Sequence, residues 1–147
     1  MSEEPEYVCS ATLIIFGDNL NPKEVTERLG LEPHQSWRKG ERKSFVRSDG
    51  TVEYFDSVYE WGGWKCFITD ERKDSELSEQ LAWWCDLLEG REALMYELEE
   101  AGCLVQMNCF VAAESSAEVI VSADLQRCLS SLHLELAISF SPDSPSI

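Results

Sequence analysis

Residues 7–30 read YVCSATLIIFGDNLNPKEVTERLG, and the order of residue types within them decides the fold class. Residues 7–16 are largely apolar and rich in β-branched side chains on both faces, the composition of a strand buried in the middle of a sheet. Gly17-Asp18-Asn19 closes that strand with turn residues. Asn21 then suits the N-cap of a helix and Pro22 its first position, where a missing N–H costs nothing. Val25, Arg28 and Leu29 follow at helical spacing until Gly30 and Pro33 stop the helix. A strand, a tight turn and a short helix in succession point to a chain that mixes α and β.

The same reading extends outward. Residues 51–69, TVEYFDSVYEWGGWKCFIT, are dense in Val, Tyr, Phe and Trp, and Gly62-Gly63 is expected to divide them into two strand-like pieces, a hairpin or an extended pair. Asp74 or Ser75 is placed to cap a helix in which Leu77, Leu81, Trp84 and Leu88 recur at helical spacing. Gly90 breaks it, and Leu94, Met95 and Leu98 resume the stripe as far as Gly102. Of the adjacent Trp83 and Trp84, at least one is expected in the core. Residues 103–112 read as a strand, 117–121 (AEVIV) as a shorter one, Ser122 or Asp124 as the cap of a helix over Leu125, Cys128 and Leu129, and 133–140 as a last strand. The order β-α-β-β-α-α-β-β-α-β implies an α+β fold, a mainly antiparallel sheet with helices packed on one face. A ferredoxin-like arrangement fits it. Residues 10–32 and 116–135 echo each other as strand, turn with Asp, and short helix, which leaves room for an internal duplication. One domain, 1–147, is expected, with 1–6 and the Pro/Ser-rich 141–147 as flexible ends.

Charge separates the chain into two kinds of surface. Twenty-eight acids against twelve bases leave a net charge of -16, which repels phosphate backbones and anionic lipid and disfavours bulk nucleic acid and membranes as partners. Arg38, Lys39, Arg42, Lys43 and Arg47 nevertheless fall within ten residues that hold one acid, Glu41, so this window is +4 and the remainder -20. From Asp74 to Glu100 the balance is reversed: nine acids, among them Asp74, Glu76, Glu79, Asp86, Glu89 and Glu92, face one base, Arg91. No apolar run reaches the roughly 20 residues that cross a bilayer, and the acidic start MSEEPEY is unlike a secretory signal, so the cytoplasm is the expected location. Six widely spaced cysteines without a CxxC pair read as free thiols rather than a disulfide framework or a zinc site. No metal, cofactor or catalytic residue is expected: the chain holds no phosphate loop, GxSxG or HExxH, and Cys66 would need His34 or His133 brought to it by the fold.

Four short motifs stand in order: Gly17-Asp18, Leu20-Asn21-Pro22, Leu29-Gly30-Leu31-Glu32-Pro33 and Trp37-Arg38-Lys39-Gly40-Glu41. With them the chain resembles a bacterial family catalogued as domain of unknown function 4279. The likeness continues through LAWWCDLL, EALMYELEEAG and LHLELAISF, and departs at 51–64, which is longer and more aromatic than the family pattern. The resemblance marks Gly17, Asp18, Pro22, Gly30, Trp37 and Gly40 as structural. It implies no established catalytic activity and carries an association with immunity factors of toxin systems.

The expectation that follows is a non-catalytic protein-binding module, monomer or homodimer, of immunity type. Its acidic residues Asp74, Glu76, Glu79, Asp86, Glu89 and Glu92 would hold a basic toxin domain, with Arg38 and Lys39 as a second contact patch or as partners of the protein's own acids. The alternative is a regulatory or sensor domain whose small-molecule pocket is lined by Tyr54, Phe55, Tyr59, Trp61 and Trp64.

Overall fold

In the computed structural model, which describes residues 7–142, the expected central strand is β1, Val8–Gly17. It is hydrogen-bonded along both of its edges and stands in the middle of its sheet. The other elements are α1 (Pro22–Leu29), β2 (Gln35–Trp37), β3 (Arg42–Val46), β4 (Val52–Val58), β5 (Gly62–Cys66), a 3-10 turn at Asp70–Arg72, α2 (Leu77–Leu87), α3 (Glu92–Glu100), β6 (Leu104–Ala112), α4 (Ala123–Ser131) and β7 (Glu135–Ser141). Five strands form one sheet in the order β2-β5-β1-β6-β7, and β3 with β4 forms a separate two-stranded ribbon. Every pairing is antiparallel except β6 with β7.

The pleat sorts β1 cleanly. Cys9, Ala11, Leu13 and Ile15 point to the helices and are buried, as are Val105, Met107, Cys109 and Val111 of β6. Trp64, Leu81, Trp84, Leu88 and Met95 complete one contiguous core on that side. The opposite face of the sheet carries no helix, and Val8, Leu104 and Phe110 stand exposed on it. The chain is thus α+β, with a mostly antiparallel sheet and its helices on one face.

α2 is fastened to β1 by polar atoms as well as by packing. β5 pairs only with Leu13–Gly17. Beyond its end, the Ala11 N–H donates to Gln80 Oε1 at 2.9 Å and the Ala11 carbonyl accepts from Trp84 Nε1 at 3.0 Å. Gln80 Nε2 also donates to the Cys9 carbonyl at 3.2 Å. Gln80 is fully buried and is the one buried polar side chain among the described residues. Each such backbone group left unpaired would cost about 1–3 kcal/mol, so the glutamine stands in for a strand that is too short.

Four local expectations are corrected. Gly62-Gly63 is not a turn: both residues lie inside β5, and β4 pairs with β3 rather than with β5. A Cβ on Gly63 would come within 2.1 Å of the Trp37 ring and one on Gly62 within 2.9 Å of the Leu20 carbonyl, so close approach, not chain reversal, requires glycine here. Residues 117–121 form no strand. They run extended, with Ala117, Val119 and Val121 laid against the core, because β7 already occupies the edge beside β6. A parallel neighbour needs a crossover, and this segment with α4 supplies it. The N-cap of α2 is Glu76 rather than Asp74 or Ser75, and it makes no side-chain cap bond. The Tyr7 hydroxyl instead accepts from Leu77 N–H at 3.1 Å. The last strand begins at Glu135, two residues late, because His133 takes a left-handed φ of 56° between α4 and β7. The expected flexible ends 1–6 and 143–147 lie outside the described residues, and Ser141 belongs to β7.

Candidate functional site

Most of the motif residues gather around the root of the ribbon, and Gly30 lies at the far end of α1. Asn21 Oδ1 caps α1 by accepting from Lys23 N–H at 3.2 Å and also accepts from Arg38 at 2.9 Å. Lys39 Nζ lies 2.7 Å from Asp18. Pro22 opens α1, and Gly30, with a φ of 71°, closes it in the left-handed conformation that glycine adopts freely. Glu41 N–H donates to the Arg38 carbonyl at 3.1 Å, closing a turn in which Gly40 has a φ of 89°. Gly40 N–H donates to the Tyr59 carbonyl, and Tyr59 N–H to the Glu41 carbonyl, both at 2.9 Å. The Trp37 ring stacks on Tyr59 at 4.5 Å, and its Nε1–H donates to the Trp61 carbonyl at 3.0 Å. Gly17 leaves room for Cys103, whose Sγ would lie 2.5 Å from an added Cβ. Trp37 is therefore half-buried under the ribbon on the helix-free side of the sheet, not in the main core.

The ribbon that rises from this root has no buried residue between Arg42 and Val58. Seven of the fourteen exposed large apolar side chains among the described residues fall between Phe45 and Trp61, which marks this segment as more than ordinary scatter. Val46, Val52, Tyr54 and Val58 share one of its faces; Phe45 and Phe55, 5.3 Å apart, lie on the other. Its charges are satisfied internally: Arg42 pairs with Asp56 and Arg47 with Glu53, while the Arg42 guanidinium lies 5.5 Å from the Tyr54 ring centre. Lys43 lies over Tyr59. The five aromatics read as a pocket do not gather. Trp64 is fully buried in the core, with its Nε1–H on Thr26 Oγ1 at 3.0 Å; Tyr59 is stacked on Trp37; and Tyr54, Phe55 and Trp61 are exposed.

The six acids Asp74, Glu76, Glu79, Asp86, Glu89 and Glu92 are all exposed on the helical side. Asp86, Glu89 and Glu92 line one shallow groove between α2, the start of α3 and α4, together with Arg127. Asp74, Glu76 and Glu79 sit near the other end of α2, which at 1.5 Å per residue is about 10–18 Å away along the helix. None of the six makes an ion pair among the described residues, and the arginine in the groove is already bound to Asp124. Arg38 and Lys39, spent on Asn21 and Asp18, contribute nothing to this surface. A third polar feature escaped the sequence: Arg28 reaches Glu97 at 2.5 Å, joining α1 to α3 over a cleft of about 220 Å³ that Asn21 and Cys103 also line. The guanidinium holds the Glu97 carboxyl below its ordinary range.

The thiols carry no sign of activation. All six cysteines are free. Burial pushes Cys9 up to about 11 and Cys85 and Cys109 to about 12, and it raises Cys66 and Cys103 as well. Such thiols stay protonated at neutral pH, whereas a nucleophile needs thiolate. Cys66 donates to the Glu32 carbonyl, and the His34 Nδ1 that might have served it accepts instead from Phe67 N–H at 3.1 Å. No cluster of three or more metal-ligating side chains occurs among the described residues, and no helix there is long and apolar enough to cross a membrane.

The family model described as "Domain of unknown function (DUF4279)" matches residues 6–142. No curated protein and no solved structure matches this chain.

Proposed function

The chain belongs to the DUF4279 family, and from that premise we propose that it is a non-catalytic, immunity-type protein-binding module which neutralises a basic protein partner, such as a toxin domain, on its acidic helical surface. The observation that carries this reading is that none of the six exposed acids of the α2–α3 side makes an ion pair among the described residues, and three of them share a groove. Eight of the twelve bases, by contrast, already have a carboxylate or aromatic neighbour. A surface of unpaired carboxylates on a -16 chain attracts a cationic protein over a distance and fixes its orientation, while it repels nucleic acid and anionic lipid. The free, buried thiols suit a reducing compartment, which fits action in the cytoplasm.

The test takes the product of the reading frame adjacent to this gene, if that product is basic and toxic when expressed alone. Co-expression with the present chain should restore growth. The measured affinity should fall on the order of tenfold or more between about 50 and about 500 mM salt. The triple substitution Asp86→Asn, Glu89→Gln, Glu92→Gln should weaken binding at low salt and leave the melting temperature unchanged. An affinity indifferent both to salt and to the three substitutions would remove the acidic surface from the mechanism.

A further inference from the structure

Cys85 of α2 and Cys128 of α4 open onto the same groove as Asp86, Glu89 and Glu92. The two helices pack against each other. Helices in contact stand about 8–10 Å apart with Cα atoms on cylinders of about 2.3 Å radius, so residues facing each other across the contact come within the roughly 4.4–6.8 Å of Cα separation that a disulfide spans. The two thiols are close enough to act on each other: burial is the larger cause of the raised Cys85 pKa, and the neighbouring Cys128 thiol adds to it. Access separates them. Cys85 is 8% exposed, whereas Cys128 is only half-buried. The other four cysteines have different surroundings. Cys9 and Cys109 are sealed in the core, Cys66 is bonded to the Glu32 carbonyl, and Cys103 packs against Gly17.

We propose that Cys85 and Cys128 form a redox modification site, which hydrogen peroxide converts to a disulfide tying α2 to α4 beside the acidic groove. The more accessible Cys128 sulfur attacks one peroxide oxygen, the O–O bond breaks, and one water leaves as Cys128 becomes a sulfenic acid. The Cys85 sulfur then attacks the Cys128 sulfur, the S–O bond breaks, and the departing hydroxide takes the Cys85 proton as a second water. Two thiols are oxidised to one disulfide while one peroxide is reduced to two waters. Cys85, kept protonated by a pKa pushed up to about 12, suits the second step rather than the first. A reducing compartment returns the pair to thiols, so the bond marks an excess of oxidant. It forms whether or not the groove holds a partner. Only its bearing on a basic partner rests on the function proposed above: with α4 tied to α2, the three acids and the Arg127–Asp124 pair across the groove keep a fixed spacing.

The test treats the intact, fully reduced chain with hydrogen peroxide at neutral pH and reads the product by mass. Trypsin separates the thiols, because cuts after Lys73, Arg91 and Arg127 leave Cys85 on residues 74–91, Cys128 on 128–147, and Cys103 and Cys109 together on 92–127. The expected product is a monomer that has lost two hydrogens, with 74–91 joined to 128–147 and the join released by dithiothreitol. The linked form should melt several degrees higher, because the bond closes a loop of about forty residues. Cys128→Ser should abolish the link and leave Cys85 a thiol, whereas Cys103→Ser should leave the link unchanged. Overoxidation of Cys128 without a link, a dimer joined through Cys128, or a link that forms only in denaturant would overturn the inference. A chain that links but binds no basic partner removes the proposed function alone, and one that binds but does not link removes this site alone.

Discussion

β4 and β5 are consecutive strands with a similar aromatic content, VEYFDSV and GGWKC with Trp61 just before, and they end in opposite environments. Every residue of β5 but Lys65 is buried; no residue of β4 is. What separates them is a partner. β5 lies between β1 and β2, and Gly63 lets the Trp37 ring close on the back of the strand while Trp64 enters the core from the front. β4 has only β3 beside it, and none of its residues is buried. Burial of an aromatic strand is thus a property of its neighbours, and a hydrophobic run by itself does not tell a core strand from an arm.

The comparison can be broken most severely at its two aromatic centres. Trp64→Ala removes a fully buried ring and its bond to Thr26, and should lower the free energy of unfolding by about 3–5 kcal/mol in urea. Tyr54→Ala, two-thirds of the way along the neighbouring exposed ribbon, should change it by no more than about 0.5 kcal/mol at concentrations where the chain is monomeric. Equal losses at the two positions would mean that the ribbon folds back onto the body in solution. A smaller effect separates the two glycine roles. Gly63→Ala forces a methyl into the Trp37 ring and should cost about 1–3 kcal/mol, with loss of the Trp37–Tyr59 stack from the near-ultraviolet spectrum. A substitution there that costs nothing would return the Gly-Gly pair to the role of a turn.

How far the fold was legible follows the same line. β1 and α1 were readable to the residue at the helix because Asn21, Pro22 and Gly30 each act through local backbone chemistry. The stripe of Leu77, Leu81, Trp84 and Leu88 was readable because helical periodicity reports one buried face. The roles of Gly62-Gly63 and of 117–121 were not, since an extended chain on a core alternates just as a strand does, and only the position of β7 denies it a partner. Of the candidate surfaces, the unpaired acids could be seen as a count but not as a groove, because Asp86, Glu89 and Glu92 meet across a helix break. Arg38 and Lys39 stood out as bases, and their dependence on Asn21 and Asp18 needs a contact between segments about twenty residues apart. Nothing in composition marked the bases of 42–47 as part of a neutral arm, because Glu53 and Asp56, which balance them, lie on the returning strand.

The least of the expected effects lies at the ribbon's tip and tests whether the arm is an autonomous unit. Asp49 accepts from Thr51 N–H at 3.0 Å and from the Thr51 hydroxyl at 2.6 Å, and these bonds hold its carboxyl below the ordinary aspartate range. A depressed folded value means that this contribution is present in full above the unfolded value, near 3.8, and fades as pH falls through the lower folded one. Acid should therefore loosen the turn without touching the core, because no buried group in β1 or β5 is coupled to Asp49. Two-dimensional NMR should show the Thr51 and Gly50 amides shifting on acidification and exchanging faster, and Asp49→Asn should abolish the titration while leaving the amides of Leu13 and Ile15 unmoved. Were the core amides of β1 to move with the same midpoint, the ribbon would be coupled to the body through its root, where the Trp37–Tyr59 stack, the Trp37 bond to the Trp61 carbonyl and the paired bonds of Gly40, Glu41 and Tyr59 join them.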